Sequence, residues 1–150
     1  AATLLHLGPG LGNGLANLHN ARKARSGIVN VVGDHATAHL ALDAPLTSDI
    51  AGIARPMSHW VQRTPTADDV ARDGREAVVQ ARARPGRIGT LILPADAAWS
   101  DVGTEPQRLG PVAEGAARPG EHQQRIYFVG TVVVPLTESL GSSPTTRDTK

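Results

Sequence analysis

The stretch Thr3 to Ala24, TLLHLGPGLGNGLANLHNARKA, concentrates residue types able to do chemistry in very little chain. A histidine, His6, closes an apolar run; Gly8-Pro9-Gly10 follows, then Asn13 and Gly14. Glycine-rich turns let another group approach main chain closely. Three readings compete. A dinucleotide fingerprint needs G-x-G-x-x-G, but the sixth position is Asn13 counted from Gly8 and Leu15 counted from Gly10. No ribose-binding acid follows about 20 residues on. A phosphate-binding P-loop needs a Gly-Lys pair, and the sequence has none. The third reading is a structural turn whose glycines only let strand and helix pack closely.

Other constellations are weaker. His35 and His39 are four apart, which aligns two metal ligands only on a helix, and the segment reads as loop without a nearby H-E-x-x-H acid. No metal site is assigned. Ser48 and Ser58 lack nucleophile-elbow spacing. His19, Arg22, Lys23 and Arg25 read as a solvated basic helix edge. Asn17 and Asn20 could face a partner subunit, and His59 beside Trp60 fits either an interface or a core.

Composition narrows the class. The chain of 150 residues is long enough for one domain with a real core, and its net charge of +1 gives no case for nucleic acid or an anionic membrane. There is no cysteine, so disulfides, thiolate metal sites and a cysteine nucleophile are excluded. No apolar run reaches the roughly 18 to 20 residues of a membrane helix. The opening residues carry no basic signal-peptide region, and a cytoplasmic protein is expected.

The elements that must position these residues alternate. Thr3 to Leu7 reads as a buried strand closed by Gly8-Pro9-Gly10; Leu11, Leu15 and Leu18 recur at helical spacing up to Ser26-Gly27. Ile28 to Val32 is a β-branched strand. Residues 33–48 read as a long loop, Asp49 to Ala54 as a short helix, and Met57 to Arg63 as a third strand. Thr66 and Asp69 resemble a capping box opening a helix whose apolar face is Val70, Ala77, Val78 and Ala81, stopped by Arg84-Pro85-Gly86. Leu91-Ile92-Leu93 is the last strand of this domain, ended by Pro94. This alternation predicts an α/β fold, an open parallel sheet with helices on both faces. Residues 1–101 form the expected domain. From 102 to 150 a Gly-, Pro- and charge-rich linker and an irregular C-terminal tail are expected, with an apolar strand at Ile126 to Leu136.

In sequence order, H-x-G-P-G-x-x-N-G-x-x-x-L-x-x-A, then Asp43-Ala44-Pro45-Leu46-Thr47-Ser48, Ile53-Ala54-Arg55-Pro56, Arg84-Pro85-Gly86 and Leu91-Ile92-Leu93-Pro94-Ala95-Asp96 resemble the pyrimidine-binding domain of thiamine-diphosphate enzymes. The likeness is to the acetolactate synthase and benzoylformate decarboxylase group, and it covers residues 3 to about 100. It implies thiamine diphosphate as cofactor, a 2-oxo acid as substrate, and a homo-oligomer or pairing with a full-length subunit. In such enzymes the cofactor lies between the pyrimidine domain of one subunit and the diphosphate domain of another.

Residue by residue, the resemblance places His6 where benzoylformate decarboxylase has a proton-shuttling histidine and acetolactate synthases have a hydroxyl residue. Pro9 and Asn13 match the positions bordering the aminopyrimidine ring. Helix-terminal N–H groups there would suit an anion such as the 2-oxo acid carboxylate, and Asn13 could cap the helix. Desolvation and the helix dipole would favour a neutral, proton-accepting His6. The structural alternatives are a hydrogen-bonded core histidine and a pure cap. The Phe-Gln pair of acetolactate synthases is missing near Leu46, and Gly33-Asp34 stands where relatives carry Gly-Gln. The family's activating glutamate would precede this stretch by about one helix and one strand, and Mg²⁺ with the diphosphate would be held by a domain not present in this chain. The expectation is an incomplete pyrimidine-binding domain, inactive alone. The alternatives are a non-catalytic association module pairing with full-length relatives, or an unrelated nucleotide-binding α/β domain.

Overall fold

The computed structural model describes residues 1–103. Strand β1 (Ala2–His6) runs directly into helix α1 (Leu7–Lys23), followed by β2 (Ile28–Asp34). A 3₁₀ turn (Thr37–Leu42) and α2 (Ile50–Ala54) lead to β3 (Trp60–Arg63). A second 3₁₀ turn (Ala67–Asp69), α3 (Val70–Arg82), β4 (Ile88–Pro94) and α4 (Ala95–Trp99) complete the described chain. The sheet order is β1-β2-β4-β3, with every neighbouring pair parallel. The expected open parallel sheet is present, and the strand and tail expected beyond Gly103 lie outside the described residues.

Strand alternation assigns the layers. Leu5, Ile28, Val32, Ile88 and Ile92 point to one face, where they pack with Leu11, Leu18 and Ala21 of α1 and Ile50 and Ala54 of α2. The opposite face carries α3: a Cβ built on Gly89 would sit 3.0 Å from the Ala77 carbonyl oxygen. Helix α1 is held because Leu7, Leu11, Gly14, Leu18 and Ala21 fall every three or four residues on its buried side. Burying each of its fully covered leucines is worth roughly 1.5–3 kcal/mol.

One core layer is polar. Thr3, Asn30 and Thr90 are register partners on the α1 face of the three adjacent strands. Thr3 Oγ1 donates to Asn30 Oδ1 at 2.8 Å, and Asn30 Nδ2 donates to Thr90 Oγ1 at 3.1 Å. The Thr90 hydroxyl also bonds the Ser58 hydroxyl at 2.6 Å. The chain crosses the sheet with each member's hydrogen-bonding capacity met by the next, as burial requires.

Several local expectations are corrected. Gly8-Pro9-Gly10 is the first turn of α1, not a loop: proline is tolerated there because the N–H it lacks would have no partner anyway. The reversal falls at Leu7, with φ +55°. Residues 33–48 are not one loop, since β2 extends to Asp34 and the 3₁₀ turn follows. Thr66 makes no capping box; its hydroxyl donates to the Asp69 carboxylate at 2.6 Å rather than accepting from main chain. On α3, Ala77 and Ala81 are buried as expected, but Asp73 joins them while Val70 and Val78 are only partly covered.

Candidate functional site

The expected site residues gather where β1 gives way to α1, at the C-terminal edge of the sheet. That is where open α/β sheets bind ligands. Strand becomes helix with no connecting residue, so Leu7 takes the left-handed conformation, at a cost of about 1–2 kcal/mol. Leu7 is buried, which offsets that cost. The abrupt elbow leaves the last strand residue and the first helical turns exposed: His6, Pro9 and Asn13 are all exposed.

These positions remove the structural alternatives for two residues. His6 is not a core histidine: it is exposed, and its side chain makes no capping bond to the helix. Asn13 is not the helix cap, because the cap position is His6, whose side chain bonds no helix N–H. Pro9 and Asn13, four apart, share the outer face of α1. Gly12 lies beside them, and a Cβ built there would meet nothing within 4 Å. Packing within the described chain therefore does not explain that glycine.

The glycine that packing does require is Gly8. A Cβ there would overlap the side chain of Ser48, which closes over the helix start from the loop before α2. Helix α2 itself is capped by Asp49, whose Oδ1 accepts from Gly52 N–H at 2.9 Å.

On the far side of the same edge lies a pair the sequence reading did not find. Asp34, at the end of β2, has a carboxylate almost wholly shielded from water, and the Arg63 guanidinium from the end of β3 pairs with it. The other carboxylate oxygen of Asp34 accepts from the His35 N–H at 2.8 Å. The pairing spans β4, which lies between β2 and β3. One signal was legible: Ile28, Asn30, Val32 and Asp34 alternate at period two, extending the buried face to Asp34. His35 and His39 stack with ring centroids 6.1 Å apart. Among the described residues, no group of three or more His, Asp or Glu residues could hold a metal ion.

Two other residues singled out in the sequence serve structure. Arg22 is not merely solvated: its guanidinium donates to the Pro56 and Ser58 carbonyls at 3.2 and 3.3 Å, tying α1 to the approach to β3. His59 stands at the opposite edge of the sheet, its Nδ1 accepting from Ile88 N–H at 3.0 Å. Partial burial, and then the Arg22 and Arg87 charges, hold its imidazole below the ordinary histidine range. No helix among the described residues is long and apolar enough to cross a membrane.

Comparison with known proteins bears on the fold. No family model matches the chain. The acetolactate synthase large subunit-like protein IlvX of Mycobacterium tuberculosis is 54% identical over 132 residues, covering 81% of this chain and 25% of that protein. A thiamine diphosphate-dependent 4-hydroxybenzoylformate decarboxylase of Rhodococcus jostii RHA1 superposes with a TM-score of 0.61 at 25% identity, covering 67% of this chain and 20% of that one. A Mycobacterium smegmatis structure assigned to the thiamin diphosphate-dependent enzymes shares the fold, with a TM-score of 0.59 at 24% identity over 79% of this chain and 22% of its own.

The chain is similar to thiamine-diphosphate-dependent enzymes and carries the fold of their pyrimidine-binding domain. It spans about a quarter of the curated relative it matches.

Proposed function

We propose that this chain supplies the ring-facing half of a thiamine diphosphate site from an enzyme of 2-oxo acids. The observation that carries this is the elbow at Leu7, which exposes His6, Pro9 and Asn13 together where the fold binds ligands. Pro9 and Asn13, with side-chain-free Gly12 between them, fit a flat heteroaromatic ring: proline offers a rigid apolar edge and asparagine a hydrogen-bonding amide. Among the described residues no cluster of His, Asp or Glu could hold Mg²⁺; on this reading the diphosphate and its cation are held by another domain. The cofactor, when bound, would supply a carbon nucleophile for the substrate's ketone carbon and an electron sink for the pair left when the substrate's carboxylate departs as CO₂. On this reading, Pro9 and Asn13 orient the ring and His6 takes or returns a proton at the substrate carbonyl.

A carboxylate to activate the ring is missing from the elbow. Asp34, at the end of the neighbouring strand, is buried and committed to Arg63. The chain should therefore be inactive alone and act only against a second subunit, a like copy or a full-length relative, that brings the diphosphate and the acid. His6 favours decarboxylation ending in protonation, while the likeness to IlvX favours carboligation; both begin from a 2-oxo acid.

Calorimetry with thiamine diphosphate and Mg²⁺, together with turnover assays on pyruvate and benzoylformate, tests this. No turnover and no binding at the millimolar level, about 4 kcal/mol, are expected of the isolated chain. Micromolar binding by that chain would overturn the proposal. Binding restored by a full-length relative but abolished by Asn13→Ala would support it.

A further inference from the structure

Resting on that functional reading and extending it to the substrate, we propose that Arg63 receives a second carboxylate of the 2-oxo acid, beside the Thr47 hydroxyl. The Asp34–Arg63 pair is costly to bury, and no step above uses it. Well-packed apolar residues of similar volume would hold these strands as well or better. The pair calls for a reason beyond packing.

Orientation supplies one. Asp34 follows Val32 at period two, and Arg63 follows Val61, which packs on the same core. Both side chains therefore lie on the α1 and α2 face, at the strand ends where such sheets bind ligands. Asp34 is fully engaged: one carboxylate oxygen meets the guanidinium and the other accepts from the His35 N–H. Arg63 is not. Its contact with Asp34 runs through Nη1, and its side chain keeps 38% of its surface open against 1% for Asp34. Among the described residues, the Nε and Nη2 donors remain for another acceptor. Asp34 thus steadies one side of the fork, while the other offers the two parallel hydrogen bonds that a carboxylate matches.

Thr47 is an independent sign of a missing partner. Its Oγ1 is shielded from water and bonds nothing among the described residues, although buried hydroxyls normally find a partner. Helix α2 begins just after it and runs back along the sheet, since His59 N–H, beyond that helix, bonds the Ile88 carbonyl at the start of β4. Thr47 therefore sits on the same face and at the same edge as the ion pair. The next residue, Ser48, is the one that closes over Gly8 at the elbow.

Charge selects the ligand. Asp34 already compensates Arg63, so the site is neutral before anything binds. A planar monoanion fills the free side of the fork and takes the Thr47 O–H. A phosphate dianion would press a further negative charge towards the Asp34 carboxylate.

Glutarate, a dicarboxylate without the reacting carbonyl, is the probe. It is titrated into the full chain while NMR follows the Arg63 Nε–H and the Thr47 backbone amide. A saturable shift with a Kd of ~1–10 mM is expected of the wild type. Arg63→Lys keeps a cation beside Asp34 but loses the fork, and should weaken binding at least ~10-fold at a similar urea midpoint. Thr47→Val should weaken it ~3-fold or more. No saturable shift in the wild type overturns the proposal, as does unchanged affinity in Arg63→Lys. Inorganic phosphate binding more tightly than glutarate overturns the choice of carboxylate. If the lysine variant does not fold, Thr47→Val decides, and unchanged affinity there overturns the site. The titration needs no cofactor, so its failure leaves the ring-site reading standing, and a failed ring site leaves a positive titration intact.

Discussion

Ser48 and Gly8, forty positions apart in sequence, are in contact at the start of α1, the serine side chain filling the space a Cβ on the glycine would take. The loop before α2 is thereby set against the elbow that exposes His6, Pro9 and Asn13.

Gly8→Ala should therefore destabilise the chain by about 1–3 kcal/mol, the range for forcing a methyl group into a filled site. Ser48→Gly should recover most of the loss. A double-mutant cycle from urea midpoints measures the coupling, and additive effects would refute the contact.

Arg63→Leu should cost about 3 kcal/mol. It strands the shielded Asp34 carboxylate without its cation, and Arg63 retains enough exposure to place the effect at the low end for a broken buried pair. Arg63→Leu combined with Asp34→Asn should be milder than Arg63→Leu alone. Denaturant midpoints of the three variants check the order.

The polar layer gives a third expectation. Asn30→Leu removes the amide linking Thr3 to Thr90, leaving the Thr3 hydroxyl without its partner and Thr90 with Ser58 alone, at about 1–3 kcal/mol. Thr3→Val in the same chain should return part of it, since one unpaired hydroxyl disappears.

His59 makes stability depend on pH. Its folded value lies below the ordinary one, so below about pH 6.5 the unfolded chain binds the proton more readily than the folded chain. The stabilisation is complete above that pH and is lost as pH falls towards the folded value. His59→Gln should flatten this part of the profile between pH 7.5 and 5.5. An unchanged slope in the variant would assign the dependence to other groups.

His6→Ala and Asn13→Ala should leave stability within about 0.5 kcal/mol, as exposed positions do. If they also abolish cofactor recovery by a full-length partner, their role is contact with something outside this chain. A clear loss of stability would make them structural.

Much of this fold is legible in the sequence. The β-branched run at Ile28 and the leucines of α1 declare their elements by periodicity alone, and alternation gives the parallel sheet. What misleads is residue chemistry with two meanings. Gly8-Pro9-Gly10 reads as a turn because glycine and proline usually break structure, yet a helix's first turn accepts both. Pro94 reads as a stop but occupies the cap position of α4. At the site, His6 and Asn13 stand out by type and order, but their exposure depends on the left-handed Leu7, and leucine is not a residue that announces such a backbone. Asp34 and Arg63 were invisible as a pair because only the crossing of strands over β4 brings them together.

That crossing also orders events at the ribosome. A nascent chain can zip residues 2–34 into a two-stranded unit as they emerge, but the strand at 60–63 then has no neighbour to join. It must wait until residues 88–94 slide into the gap between them. Among the described residues the strand at 88–94 is the keystone, and synthesis halted before it would leave β3 with no neighbour in the sheet.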